Sequence, residues 1–151
     1  MRTIHRDIVT VLVFSKDGKL LQGKKDSTKG GVYSDCWHPP GGGIDEGEDR
    51  VAAARREVFE ETGVDITSYP LEFIENATGE SEKVLKDTGE KVLCKMKFNL
   101  YKVVIDNKNA DEIVTKPGDD LAELQWFTLP ELKTIKLTPP SAEAFTRFGW
   151  I

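Results

Sequence analysis

Apolar residues first gather in residues 8–14, a β-branched run with almost no polar interruption, which predicts a central buried strand. Lys16-Asp17-Gly18-Lys19 predicts a hairpin turn, with Asp-Gly as its cue, and residues 20–24 return as a second strand. A polar Gly/Ser loop spans residues 26–35 and leads to Trp37. Over residues 49–62 the pattern takes on a helical period. Val51, Ala54 and Val58 share one arc, while Glu57, Glu60 and Glu61 fall at i, i+3 and i+4 on an adjacent arc of roughly 100°. Asp49 suits an N-cap, and Gly63 supplies a left-handed stop.

Strands are expected near residues 64–67 and 71–78, followed by a long polar hairpin loop over 79–90 and a long strand over 92–105. Residues 106–120 form another polar loop, broken by Pro117-Gly118, before a strand at 121–127. A short helix begins at Leu129-Pro130-Glu131-Leu132, with Thr128 as its N-cap, and a last helix covers 142–148. Strands, a helix, several strands and a closing helix amount to an α/β (α+β) fold with a mixed sheet between helices.

The acidic arc changes the reading from fold to chemistry. Like charges at i and i+4 destabilise a helix by a few tenths of a kcal/mol. A bound Mg²⁺ or Mn²⁺ turns that repulsion into attraction, because such hard cations take oxygen ligands and bridge carboxylates to substrate phosphates. Pro40-Gly41-Gly42-Gly43 precedes the helix, and consecutive glycines let a ligand approach the backbone closely. Arg56 stands four residues before Glu60, in position to brace a carboxylate, and can also reach Glu48 across the loop.

The spacing Gly42, five residues, Glu48, seven residues, then Arg56-Glu57-Val58-Phe59-Glu60-Glu61-Thr62-Gly63-Val64 resembles the Nudix (MutT-like) hydrolase signature, G-x5-E-x7-R-E-U-x-E-E-x-G-U, with every defined position filled. The flanks, Trp37-His38-Pro39-Pro40-Gly41-Gly42-Gly43 and Ala53-Ala54 before Arg55, are similar to that family as well. The resemblance implies one Nudix-like α/β/α sandwich over residues 1–151 and a pyrophosphohydrolase that uses Mg²⁺, with Mn²⁺ as a substitute. It implies Glu57, Glu60, Glu61 and the Gly41 carbonyl as metal ligands, Gly41, Gly42 and Gly43 as a substrate-binding stretch, and Arg56 and Glu48 as supporting residues. It also implies an acid from a later loop. Asp119, Asp120 and Glu123 compete for that role, and Asp120 is favoured because it sits shortly before the 124–127 strand segment. The general base is then one of Glu60, Glu61 or Asp120.

Substrate identity is less constrained. The places where some subfamilies carry a marker proline or tyrosine hold Gly79, Glu80, Ser81 and Glu82. A nucleoside triphosphate is the favoured substrate, with ADP-ribose or a nucleotide sugar as the alternative. A nucleotide-binding sensor is a third reading, weakened by the intact glutamates. Cys36-Trp37-His38-Pro39 resembles the C-x-H-P element of isopentenyl-diphosphate isomerases, but here the signature is intact and Pro-Gly-Gly-Gly follows directly, so Cys36 and His38 are read as structural. Phe14, Phe73, Phe98, Tyr101 and Trp126 are candidates for base contacts, although strand aromatics mostly pack inward.

Composition narrows the partners. A net charge of −5 argues against general nucleic-acid or acidic-membrane binding, yet it allows a phosphorylated substrate carried with cations. The chain has no apolar run long enough to span a membrane and no secretory leader pattern, and two cysteines, Cys36 and Cys94, make no metal or disulfide motif. A cytoplasmic, reducing location is the expectation. Trp150-Ile151 at the C-terminus leaves open a closed core or a homodimer contact.

Overall fold

β1 (Arg2–Ser15) is the axis of a mixed sheet. In the computed structural model, which describes residues 1–26, 28 and 33–151, it is followed by β2 (Leu20–Lys25), β3 (Trp37–His38), β4 (Gly41–Gly43), α1 (Arg50–Thr62), β5 (Glu72–Val84), β6 (Lys91–Ile105), β7 (Leu121–Phe127) and α2 (Pro139–Arg147). The main path runs β3-β2-β1-β6-β5, with β4 added to β1 and β7 to β2. β1 and β6 are parallel, from Arg2 beside Val92 to Ser15 beside Ile105, and the other pairings are antiparallel.

Successive side chains of a strand point to opposite faces, and β1 uses both. Val9, Val11 and Val13 pack with Ala53, Ala54 and Val58 of α1. Leu12 and Phe14 pack with Phe145 of α2 and with Leu20, Leu100, Phe127 and Leu132. Two helices therefore cover the two faces of one sheet, which is the α/β/α sandwich expected from the sequence. Trp150 lies against Phe14, Phe145 and Phe148 and so extends the second core.

Several expectations need correction. Residues 64–67 form no strand: Val64 and Ile66 drop into the first core without pairing to the sheet. The polar stretch 79–90 is a loop only in its second half. β5 continues to Val84, β6 begins at Lys91, and only residues 85–90 turn between them. Across that extension Glu80 lies beside Lys95 and Glu82 bonds Lys91 at 2.9 Å, so ionic pairs replace apolar ones along an edge with little to bury. Gly41–Gly43 is a short strand and not a loop. α2 starts at Pro139, three residues earlier than expected, because both prolines fit its first turn. Part of the polar loop expected at 26–35 lies outside the described residues.

Candidate active site

The glycine strand β4 and helix α1 meet edge to side. An added Cβ on Gly41 would stand 2.2 Å from the Val9 carbonyl oxygen, one on Gly42 2.6 Å from the Glu57 carboxylate, and one on Gly43 2.8 Å from a terminal nitrogen of Arg6. A side chain at Gly41 would prise this strand away from β1, whereas at Gly42 and Gly43 the Glu57 carboxylate and the Arg6 guanidinium would have to turn aside. The close approach lets the Gly41 N–H donate to Glu61 Oε1 at 2.7 Å. In an extended strand the N–H and C=O of one residue point the same way, so the Gly41 carbonyl faces the acids too.

α1 is fixed at both ends. Asp49 caps it by accepting from the Val51 and Ala52 N–H groups at 3.1 and 3.2 Å. Gly63, at φ 74°, closes it by donating to Phe59 O. The following loop then folds back: Lys116 N donates to Thr62 O and Gly118 N to Glu61 O, and a Cβ on Gly118 would lie 2.1 Å from Glu60 O. Asp119 follows at φ 57°, a left-handed conformation that Asp adopts more readily than most residues. That turn delivers Asp119 and Asp120 to the helix. Glu57, Glu60 and Asp119 can offer oxygens within 4.8 Å of one another, as can Glu61, Asp119 and Asp120.

The structure therefore brings Glu57, Glu60, Glu61 and Asp120 together, and it adds Asp119 as the member common to both groups. Glu123 stands in neither and pairs with Lys24 at 3.3 Å. Nothing in local spacing singles out Asp119. The sequence left Asp119 as one of three competing acids, and its place beside α1 depends on the contact of Gly118 with the end of that helix.

Arg56 gathers the remaining charge. It donates to both oxygens of Glu48 at 2.8 Å, to the Gly43 carbonyl at 3.0 Å, to Glu57 at 2.9 Å and to Glu60 at 3.1 Å. These bonds hold the Glu48 carboxyl down at about 2, chiefly through Arg56, and keep the guanidinium charged. Burial pushes the other way at two acids. Glu61 is 4% exposed and its carboxyl is pushed up to about 8, against the Gly41 bond, and Glu57 is raised by the same cause. An all-oxygen acid set with costly buried charge suits a hard divalent cation.

Cys36 is buried and its thiol is pushed up, first by that burial, so it lacks the character of a nucleophile. Of the aromatic candidates, Phe14 and Tyr101 are core residues, Trp126 packs on the α1-side core, and Phe73 edges onto Tyr101 while half exposed. Phe98 is half-buried beside Gly79.

The NUDIX domain family model matches residues 4–148. An RNA pyrophosphohydrolase of Bartonella clarridgeiae is 26% identical over a 156-residue alignment that takes in 97% of this chain and 76% of the relative. One from Bartonella bacilliformis is 41% identical over 63 residues, which covers 40% of this chain and only 37% of that relative's length. Among solved structures, the Escherichia coli dihydroneopterin triphosphate pyrophosphohydrolase superposes with a TM-score of 0.68 at 17% identity, covering 96% of this chain and 97% of the other. The NUDIX domain of Shewanella oneidensis NrtR, complexed with ADP ribose, gives 0.71 at 15% identity over 95% and 86%. Those two likenesses establish a shared fold. A family model that spans nearly the whole sequence, on a chain whose glycine strand and acidic helix meet in this way, places the protein in the Nudix (MutT-like) hydrolase family.

Proposed function

We propose that this protein is a divalent-cation-dependent pyrophosphohydrolase that cleaves the P–O–P bridge of a nucleoside diphosphate linked to a further group, with a nucleoside triphosphate as the favoured substrate. The observation that carries the reading is the pair of overlapping acid groups, Glu57/Glu60/Asp119 and Glu61/Asp119/Asp120, set against a strand of three glycines. Mg²⁺ fits this donor set and Mn²⁺ is a substitute. When bound, the cation supplies charge neutralisation on phosphate oxygens and acidification of the attacking water.

The chain's own residues do the rest. The glycine strand brings the backbone of β4 against the acids of α1, where the Gly41 carbonyl can join them. Arg56 holds Glu48, Glu57 and Glu60 in register. Glu61, fixed by Gly41, suits the role of proton acceptor from water, with Glu60 and Asp120 as the other candidates. Attack by water needs no covalent intermediate, in keeping with the buried Cys36 thiol.

The names of the curated relatives favour a second reading, in which the 5′ polyphosphate end of an RNA is the substrate. The chain's net charge of −5 gives little long-range attraction to RNA beyond the site. A screen of nucleoside triphosphates, ADP-ribose, nucleotide sugars and 5′-triphosphorylated RNA with Mg²⁺ and Mn²⁺ tests both readings. Native protein is compared with Glu60→Gln and Glu61→Gln, and each substitution should cost about 10²-fold or more in kcat. Equal turnover by all three proteins removes the helix from the chemistry. Tight nucleotide binding without turnover makes the protein a sensor.

A further inference from the structure

His38 carries a buried acceptor without a partner. Its Nδ1 lies 2.8 Å from the Pro39 carbonyl oxygen. A carbonyl can only accept, so Nδ1 bears the proton of a neutral ring and Nε2 presents a bare lone pair. That Nε2 atom is buried with no hydrogen-bond partner among the described residues. Leaving such an atom unpaired is unfavourable, which makes it a place to look for a transient contact.

The surroundings identify the donor. β3 sets His38 beside Gly23 of β2, on the opposite side from Trp37, whose ring packs with Phe127. Gly23 has no side chain, and Leu121 lies over it so closely that a Cβ there would be 2.6 Å from a Leu121 methyl. Lys25 is two residues further along the same strand face. The charged groups that act on the His38 ring are Lys25 and Asp120, and these two form a pair with Nζ 3.6 Å from Oδ2. That separation is longer than a hydrogen bond. Lys25 is a flexible donor with three N–H bonds, loosely held by one acceptor and placed on the strand face that carries His38.

We propose that His38 is a positioning residue for the acid cluster: its Nε2 accepts a hydrogen bond from the Lys25 ammonium, which thereby holds the Asp120 carboxylate against Glu61 and Asp119. The ring stays neutral and touches neither substrate nor reacting water. The inference rests on the hydrolase reading, and it adds that Asp120 is set from β3 through β2 as well as by its own loop.

The test combines turnover of whichever substrate the screen identifies with a direct view of the ring. His38→Phe should lower kcat roughly tenfold, as expected for one lost charge-assisted hydrogen bond, and leave KM within about twofold. His38→Gln, which can place an oxygen near the Nε2 position, should recover most of the loss. Lys25→Met should cost a similar factor, and adding His38→Phe to it should cost nothing more. Independently of turnover, ¹⁵N spectra of the native protein should show an Nδ1-protonated ring whose Nε2 resonance moves on Lys25→Met. Additive losses in the double variant, failure of Gln to recover activity where Phe folds, or an Nε2 resonance indifferent to Lys25 would each overturn the proposal. Absence of turnover by the native protein would sink the hydrolase reading instead, and the spectra would still decide the contact.

Discussion

Glu61 is held from outside its own helix: the Gly41 N–H, twenty residues earlier, donates to its Oε1 at 2.7 Å. The bond fixes the carboxyl but does not balance its burial, which raises the group to about 8. A raised carboxyl makes stability fall with pH. Below 4.5, the ordinary value, folded and unfolded chains both hold the proton; between 4.5 and about 8 only the unfolded chain has released it, so rising pH favours unfolding until the folded group also ionises. In EDTA the melting temperature should therefore decline over this window, and Glu61→Gln should flatten the decline. Mg²⁺ should stabilise the native protein more at pH 8 than at pH 5.5, because binding must displace that proton. A scanning-calorimetry series across pH with and without Mg²⁺ checks both, and identical slopes for native and variant would count against the assignment.

Gly42→Ala places a methyl 2.6 Å from the Glu57 carboxyl. Glu57 must turn away or β4 must lift. The expected result is a loss of about 10²-fold in kcat/KM together with weaker Mg²⁺ binding, read by steady-state kinetics and calorimetric titration. Unchanged cation affinity would separate Glu57 from the metal.

Arg56→Ala strands four carboxylates that now share one guanidinium, counting Asp45 at 3.6 Å with Glu48, Glu57 and Glu60. About 2 kcal/mol of stability should go, measured by urea unfolding. Arg56→Lys should recover only part, because an ammonium cannot reproduce the fork that spans both Glu48 oxygens and the Gly43 carbonyl.

The helix and the close approach of the glycines before it were legible because their residues are contiguous and their spacing is rigid: the 3.6-residue period and the i, i+3, i+4 acids need no knowledge of distant chain, whereas the strand that the glycines form depends on pairing with β1. Asp119 was not legible as a shared member, since its place comes from Gly118 fitting under Glu60 O and from two backbone bonds to the end of α1. Residues 64–67 misled for a related reason. Their alternation is real and buries Val64 and Ile66, but burial alone does not supply a neighbouring strand. The first half of the 79–90 stretch misled through its charges, which look like loop chemistry and in fact lie along an edge strand as far as Val84, while 85–90 turn as expected.

Gly118→Ala tests the part that sequence could not supply. Its methyl meets backbone at 2.1 Å, so the 116–120 loop must move. Activity should fall about tenfold or more, with a stability loss of about 1–3 kcal/mol. Glu123→Ala, outside both acid groups, should leave kcat within about twofold. Equal damage from the two would mean that the loop serves stability alone.

Cys36→Ala should leave turnover within about twofold, since the thiol is buried and pushed away from its reactive form. A collapse of activity in a folded variant would revive a cysteine-dependent isomerase.

The three glycines of β4 carry a consequence for how the chain can diverge. Each is hemmed in by something different: a carbonyl of the adjoining strand, an acid of the helix, and the head of an arginine. No single compensating change elsewhere relieves all three. Random mutagenesis should find Gly41, which meets backbone, nearly frozen, Gly42 replaceable only at the cost of the Glu57 position, and Gly43 the most tolerant of the three, while the charged edge of the sheet drifts freely, so that the strictest requirement on the sequence is for empty space.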